Sequence, residues 1–504
     1  MSCDHGRSTR REDASAADAV TRRAFLSRVG FVTCGGVLLS GCDGGCQAEP
    51  RQPVLTAPVL TDVQLPWRPP LPIAEPIVRV RIARITKNNT SDSAIEVTSE
   101  RAWLRLRMPD SRRMDFIVQS PVSVSRDERG WNVTDGSGFS PDLDPEQMIE
   151  IHPESSSAEQ LLRVNGDAYG GWLRLHPQES LITARPETST GIDLPSTETQ
   201  DVDRADALAG NQTIAPGFDV VNHISMERYL PGVLARELFQ HWPAETFAAQ
   251  AVAARSFACA EIAWFSDRRH FDVTATQSSQ AYIGATSLPV SVNAVERTRG
   301  IVLAYMNALV PGYYSSCCGG IAANANDEIN PSPVNDIPPL AARQEPDACK
   351  EAPLYRWSAN RSVNDISARV RKTAGRFTQG RDFALNSPIA MIEVAQRNAY
   401  GRPSGFAMTT ADGATVAVAS RHLRSMLNAD ATGTDANAEQ LRSGFVDVAM
   451  QGNTFRFDGR GYGHGVGLCQ YGAMALAKRG VRSEAMLAMF YPQATLHAAY
   501  GGRA

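Results

Sequence analysis

The sequence predicts an α+β protein, with a β-rich N-terminal part packed on a mixed core of helices and strands and a cleft between them. Three observations carry this. Residues 77–182 alternate apolar and polar side chains, as in Val78, Val80 and Ile82 and again in Leu104, Leu106 and Met108, which is the period of half-buried strands. Residues 226–261 hold two apolar stripes at helical spacing that meet at Trp242-Pro243. Beyond residue 262, short strand-like runs mix with helical stretches and glycine clusters.

At 504 residues the chain has room for two or three domains. Hydrophobic content of 43% and charged content of 21% are ordinary for a globular protein. The formal net charge of -4 gives no reason to expect a nucleic-acid partner. After the N-terminal region no apolar run reaches the roughly eighteen residues of a membrane span.

In chain order, residues 1–41 read as a twin-arginine-type lipoprotein signal. Arg22-Arg23 precedes a short apolar segment, and Leu39-Ser40-Gly41-Cys42 resembles a lipobox whose cysteine becomes lipid-modified. The expectation is an exported protein held to a membrane through Cys42, with several acyl chains giving stable anchoring. Residues 42–76 are proline-rich and read as a tether. Residues 77–217 form the β-rich part. Leu161–Val164 and Trp172–Leu175 flank Asn165-Gly166, a hairpin signal. Arg79, Arg81, Arg105 and Arg107 read as a solvated strand face rather than an anion site, and 183–217 as an acidic loop. Residues 218–500 form the core, with an insertion at about 321–455.

The helix pair carries one charge per apolar face. Glu237 shares a face with Leu230, Val233 and Leu234, while Arg255 sits in the stripe Ala248, Val252, Cys259 and Ile262. Burying an arginine is costly unless an acid meets it. This pattern fits a structural ion pair or a polar site equally well. Glu237 lies five residues before Trp242 and Arg255 thirteen after, so a simple antiparallel hairpin does not set them opposite each other.

Later segments add candidates. Gln280 and Tyr282 stand at strand spacing. Tyr313-Tyr314-Ser315-Ser316-Cys317-Cys318-Gly319-Gly320 is a cluster of small residues that fits close ligand approach or a tight turn. Glycine recurs at every second residue from Gly459 to Gly467, which reads as a strand pressed by a neighbour. A helix over Leu468–Lys478 follows.

Three blocks resemble the SpoIID/LytB family of bacterial cell-wall proteins: MERYLPGVLARELFQHWPAETFAAQAVAARSFA at 226–258, YYSSCCGG with the later DACKEAPLYRW at 347–357, and GRGYGHGVGLCQYGA with FYPQATL at 490–496. The resemblance implies a lytic transglycosylase. It would cleave the MurNAc-GlcNAc β-1,4 bond of peptidoglycan and leave 1,6-anhydro-MurNAc ends, with the substrate in the cleft. It implies Glu237 and Arg255 as the catalytic pair, and Gln280, Tyr282, Tyr314, Ser316, His464, Gln470 and Tyr471 as cleft lining. LytB-type members imply a different class, a non-catalytic enhancer of a cell-wall amidase. In some members a histidine in the Tyr-His-Ser block joins cysteines on zinc. Ser315 stands there in this chain, so that site is not carried over and no metal or cofactor is expected. Cys318 and Cys349, inside the family-like blocks, are expected as a disulfide.

Overall fold

Val78, Val80, Leu104, Leu106, Leu173 and Leu175 are fully buried along one side of a seven-stranded sheet. The strand order is Val273–Thr274, Ile77–Thr86, Gly217–Ser225, Trp172–Gln178, Ile149–Pro153, Trp103–Met108 and Met114–Gln119. Alternation in each strand puts these side chains on one face, where they share a hydrophobic cluster with a five-stranded sheet. In that second sheet Gly130–Thr134, Val122–Asp127, Ala94–Ser99, Leu162–Val164 and Asp167–Tyr169 lie in order. The structure, a computed structural model, describes residues 67–86, 94–109, 114–154, 160–178, 217–345, 347–377, 387–429 and 439–501. The expected signal at 1–41, Cys42, the tether up to residue 66 and the acidic loop before residue 217 lie outside these residues.

Asn165 and Gly166 make the expected turn, with φ of 50° and 96°, but they join Leu162–Val164 to Asp167–Tyr169. The strand expected as partner, from Trp172, leaves for the other sheet. Gly171 permits that departure: its φ is +77°, and a Cβ there would lie 2.1 Å from the His223 carbonyl oxygen. Of the strand arginines, Arg79 pairs with Asp272, Arg81 with Asp219 and Arg107 with Asp115.

Gly217–Ser225 sits between Ile77–Thr86 and Trp172–Gln178, so the sheet runs through the boundary expected at 217/218. This strand passes directly into helix α1, Met226–Glu237. Ser225 gives α1 no side-chain cap. The cap comes from the last tether residues instead: the Met226 N–H donates to the Pro76 carbonyl and the Glu227 N–H to Glu75 Oε1, each at 3.0 Å. Helix α2, Ala244–Phe265, starts after Pro243, which cannot continue a helix from before it. From Thr246 to Glu261 every residue of α2 is buried, so it is the central core helix.

A second hydrophobic cluster spans residues 359–457 and is centred on Ile366, Val370, Phe406, Met408, Leu423, Phe455 and Phe457, whereas Ala323, Leu340 and Cys349, inside the insertion expected at about 321–455, pack in the main cluster. Its helices are Val363–Phe377 and Ser420–Asn428. The glycine-rich stretch differs from the strand reading. Only Gly459 lies in a strand, Thr454–Arg460, where Trp357 presses on it; Gly461, Gly463, Gly465 and Gly467 follow it and all have φ between 69° and 96°. Alternate left-handed residues fold the chain into a tight loop, which only glycine enters without penalty. Gln280 and Tyr282 likewise lie outside any strand. Among the described residues no helix is long and apolar enough to cross a membrane.

Candidate functional site

Glu237 is the last residue of α1, so its side chain leaves the helix where the chain turns into extended Leu238. Three neutral donors from three distant segments hold it. Oε1 accepts the Ala281 backbone N–H at 3.0 Å and the Tyr314 hydroxyl at 3.5 Å. Oε2 accepts the Gln470 side-chain amide at 3.2 Å. Burial pushes the carboxyl above the usual carboxylate range, against the pull of these donors and of Arg236. The side chain is half-buried rather than sealed.

Tyr314 and Gln470 reach Glu237 together because their segments pair. Tyr314–Ser315 lies parallel to Leu468–Cys469, and Gln470 follows as the first residue of the helix Gln470–Lys478. The Tyr471 N–H donates to the Ser316 carbonyl at 3.1 Å, and the Gly465 N–H to Ser315 Oγ at 3.1 Å. None of the groups bonded to Glu237 comes from the β-rich part, so the site is built within the core rather than between the two parts.

The other expected lining residues divide into two groups. Tyr314, Gln470 and Tyr471 stand at or beside Glu237. Gln280 lies behind Tyr314: its Oε1 accepts the Tyr229 hydroxyl and its Nε2 donates to the Ala254 carbonyl, each at 3.1 Å. Tyr282 packs its buried ring on Gly232 and donates its hydroxyl to Asn222, away from Glu237. Ser316 contributes its carbonyl to the strand pairing. His464 is a strut: Nδ1 accepts the Val466 N–H at 3.0 Å, and the ring also bonds the Tyr314 backbone. Burial, helped by Arg424 and Arg402, brings its pKa down to about 3, so it stays neutral.

Arg255 does not meet Glu237. It is fully buried and grips Glu227 with two parallel bonds, Nε to Oε1 at 2.9 Å and Nη2 to Oε2 at 2.8 Å. Its Nη1 donates to the Ile301 carbonyl at 3.1 Å, and Tyr500 and Gly300 add donors to Glu227. The signal for this was in the count around the helix junction. Glu227 lies fifteen residues before Trp242 and Arg255 thirteen after, so a hairpin brings those two together.

Cys318 and Cys349 are neighbours with free thiols, their Sγ atoms 3.6 Å apart against about 2.05 Å for a disulfide. Cys317 and Cys469 crowd the same spot, so Cys349 has no single partner. Three further residues escaped the sequence reading. The Ala281 N–H carries no side-chain signal at all. Arg402, fully buried, reaches from the inserted unit to the carbonyls of Cys318, Ile321 and His464 at 2.9–3.0 Å. Phe239 is 55% exposed two residues past Glu237, and it begins an aromatic row through Trp242, 5.4 Å away, to Tyr471, 5.0 Å from Trp242.

Comparison with known proteins matches residues 215–305 to the SpoIID family, described as Stage II sporulation protein, and residues 332–467 to a domain family of unknown function. The first match spans both α1 and α2. An uncharacterised protein of Brachyspira hyodysenteriae is 26% identical over 51% of this chain and 63% of its own length. The Amidase enhancer of Bacillus subtilis is 24% identical over 53% of this chain and 40% of its own length. Stage II sporulation protein D of Bacillus subtilis is 26% identical over 54% of this chain and 74% of its own length. The chain thus spans less than two thirds of the length of the first two relatives.

Proposed function

The chain belongs to the SpoIID family through its domain at residues 215–305, and on that premise we propose that it acts on the bacterial cell wall as a peptidoglycan lytic transglycosylase. The observation that carries this reading is Glu237: one carboxyl with a raised pKa, half-buried, and bonded only by neutral donors. Ordinary glycosidases use two carboxylates, one of which acts on water or attacks the sugar. A lytic reaction needs one. Glu237 gives its proton to the bridging oxygen as the bond from the muramic C1 breaks. Its carboxylate then takes the proton of the same sugar's 6-hydroxyl as that oxygen bonds C1. The ring closes, no water enters, and Glu237 is protonated again. The intramolecular nucleophile supplies the proximity.

The surrounding donors suit both halves of the cycle. Burial favours the acid form at the start. The Ala281 N–H, Tyr314 and Gln470 then stabilise the carboxylate once the proton has left. Burial and the nearby Glu237 charge hold the Tyr314 phenol well above its usual pKa, so it remains a donor throughout. Phe239 and Tyr471 offer aromatic faces for sugar rings beside the acid. In this reading Arg255 is a positioning residue that locks α1 to α2 through Glu227. The protein works outside the cytoplasm, lipid-anchored at Cys42 and facing the wall.

A second reading has one specific support, the relative named Amidase enhancer. There the same surface binds glycan or a cell-wall amidase without cutting. Purified protein incubated with sacculi separates the two. The transglycosylase releases 1,6-anhydro-muropeptides unaided, and Glu237→Gln lowers that release by on the order of a hundredfold to ten-thousandfold. Full release by Glu237→Gln would sink the assignment of Glu237.

A further inference from the structure

Tyr314 meets Glu237 with a hydroxyl, a group that can either give or take a hydrogen bond. A raised pKa keeps the phenol protonated, but it does not say where the O–H points. Behind Tyr314 stand Gln280 and Tyr229, both fully buried, and neither is hydrogen-bonded to Glu237. Their arrangement decides the direction. The Tyr229 hydroxyl donates to Gln280 Oε1 at 3.1 Å. Gln280 Nε2 donates to the Ala254 carbonyl at 3.1 Å. A flipped amide would set Oε1 against that carbonyl oxygen, so the amide has one orientation. The Gln280 amide also bonds the Tyr314 hydroxyl. With Oε1 turned to Tyr229, the group left for Tyr314 is the second hydrogen of Nε2. An amide nitrogen only donates, so the Tyr314 oxygen accepts there and keeps its own hydrogen for Glu237.

We propose that Tyr229 and Gln280 are positioning residues that fix Tyr314 as a donor to Glu237, and that the acid proton of Glu237 therefore rests on Oε2. A count of lone pairs gives the second half. Each carboxyl oxygen has two. On Oε1 both are taken, by the Ala281 N–H at 3.0 Å and the Tyr314 O–H at 3.5 Å. On Oε2 the Gln470 amide takes one at 3.2 Å, and the other stays open for the proton. If Tyr314 turned its O–H away, Oε1 would regain a lone pair and the proton could sit on either oxygen. Only one of the two can aim it at the bridging oxygen of a bound glycan.

The inference rests on Glu237 being the acid, and it says how that acid is set. In the cycle proposed above, the proton leaves Oε2 for the bridging oxygen as the C1 bond breaks. The proton of the 6-hydroxyl returns to the same lone pair as that oxygen bonds C1. None of the three donors has to turn. The charged and titratable groups that face Glu237 are Arg236 beside it and the phenols of Tyr314 and Tyr229. Burial holds both phenols well above their usual pKa, so they stay neutral. Losing the Tyr314 donor then raises the Glu237 pKa, because the carboxylate needs that partner more than the acid does.

The full-length protein with isotope-labelled glutamate carboxyls tests this by magnetic resonance, without turnover. The Glu237 signal is the one missing from Glu237→Gln. Tyr314→Phe should move its titration up by about one pH unit. Gln280→Glu is nearly the same shape but puts an acceptor where Nε2 stood. Tyr314 should turn its O–H to that acceptor, and the Glu237 titration should rise by a similar amount. Both changes together should give no more than Tyr314→Phe alone. The high-pH limb of anhydro-muropeptide release should move with the titration. If Gln280→Glu shifts Glu237 as far in Tyr314→Phe as in the unaltered chain, it acts by its own charge and the proposal falls. If Gln280→Glu does not fold, Tyr314→Phe still decides, since an unmoved Glu237 titration overturns the proposal. An unaltered protein that releases no anhydro product would strike the reaction, while the titration still judges the hydrogen bonds.

Discussion

At the scale of single residues, two of the carboxylates on the helix pair, Glu227 and Glu237, have opposite roles. Glu227 is fully matched by Arg255, Tyr500 and Gly300, whereas Glu237 is held by neutral groups only. Arg255→Met would leave Glu227 buried beside no cation. The expected loss is about 3–5 kcal/mol in the denaturant midpoint, with turnover per folded molecule preserved. A loss of turnover without loss of stability would instead make Arg255 part of the chemistry. A third carboxylate tests the pH side. Glu261 is 1% exposed with Oε1 unpartnered, and burial raises its pKa to about 8, only partly offset by Arg269 at 3.6 Å. Its folded pKa lies above its unfolded one of 4.5, so the folded chain binds the proton more tightly. Stability is then full below the unfolded value and declines as pH climbs toward 8. Melting temperatures from pH 5 to 8 should fall more for the unaltered protein than for Glu261→Gln, and parallel curves would reject the assignment.

At the scale of elements, the regular pieces were legible and the loops were not. Helices α1 and α2, the Asn165-Gly166 turn and the alternating strands follow from periods that a linear sequence displays. Glycine at every second position imitates a strand period, yet glycine's real use here is a positive φ, and spacing cannot tell the two apart. The partner of Glu227 was readable from the distance to Trp242, but the donors on Glu237 were only half so. Tyr314 and Gln470 announced themselves by family pattern, while the Ala281 amide has no side chain to read. The loop's geometry makes a sharp test. A Cβ on Gly467 would come 2.0 Å from the Tyr313 carbonyl oxygen, at a φ of +69°. Gly467→Ala should cost more than the roughly 1–2 kcal/mol of a left-handed alanine, since backbone must also move. It should weaken turnover as well, because Tyr313 and Gly467 flank the pairing of Tyr314–Ser315 with Leu468–Cys469 that positions Tyr314 and Gln470. Unchanged stability and turnover would show that this pairing does not position the site.

At the scale of the whole molecule, one sheet ties residues 77–178 to the core, and a buried arginine is among the ties to the inserted unit. The strand Gly217–Ser225 lies inside the seven-stranded sheet and leads into α1, so the β-rich part acts as the platform from which Glu237 is aimed. The shared sheet joins the two parts, and the groups that hold Glu237 all come from the core. Residues 359–457 keep their own core, and Arg402 spans from it to three carbonyls around the glycine-rich loop. Arg402→Met should strand those carbonyls, at about 1–3 kcal/mol for each that water cannot reach. Faster hydrogen exchange at residues 461–470, with protection inside the inserted unit unchanged, would show that Arg402 joins the two.

The central claim is that Glu237 cuts glycan without water, and the most direct measurement is mass spectrometry of the ends made by purified protein on sacculi in heavy-oxygen water. The account predicts new muramic ends that lack one water and carry no label, formed with no amidase present and lost in Glu237→Gln. Labelled reducing ends, or no glycan cleavage but stem-peptide release when an amidase is added, would contradict it.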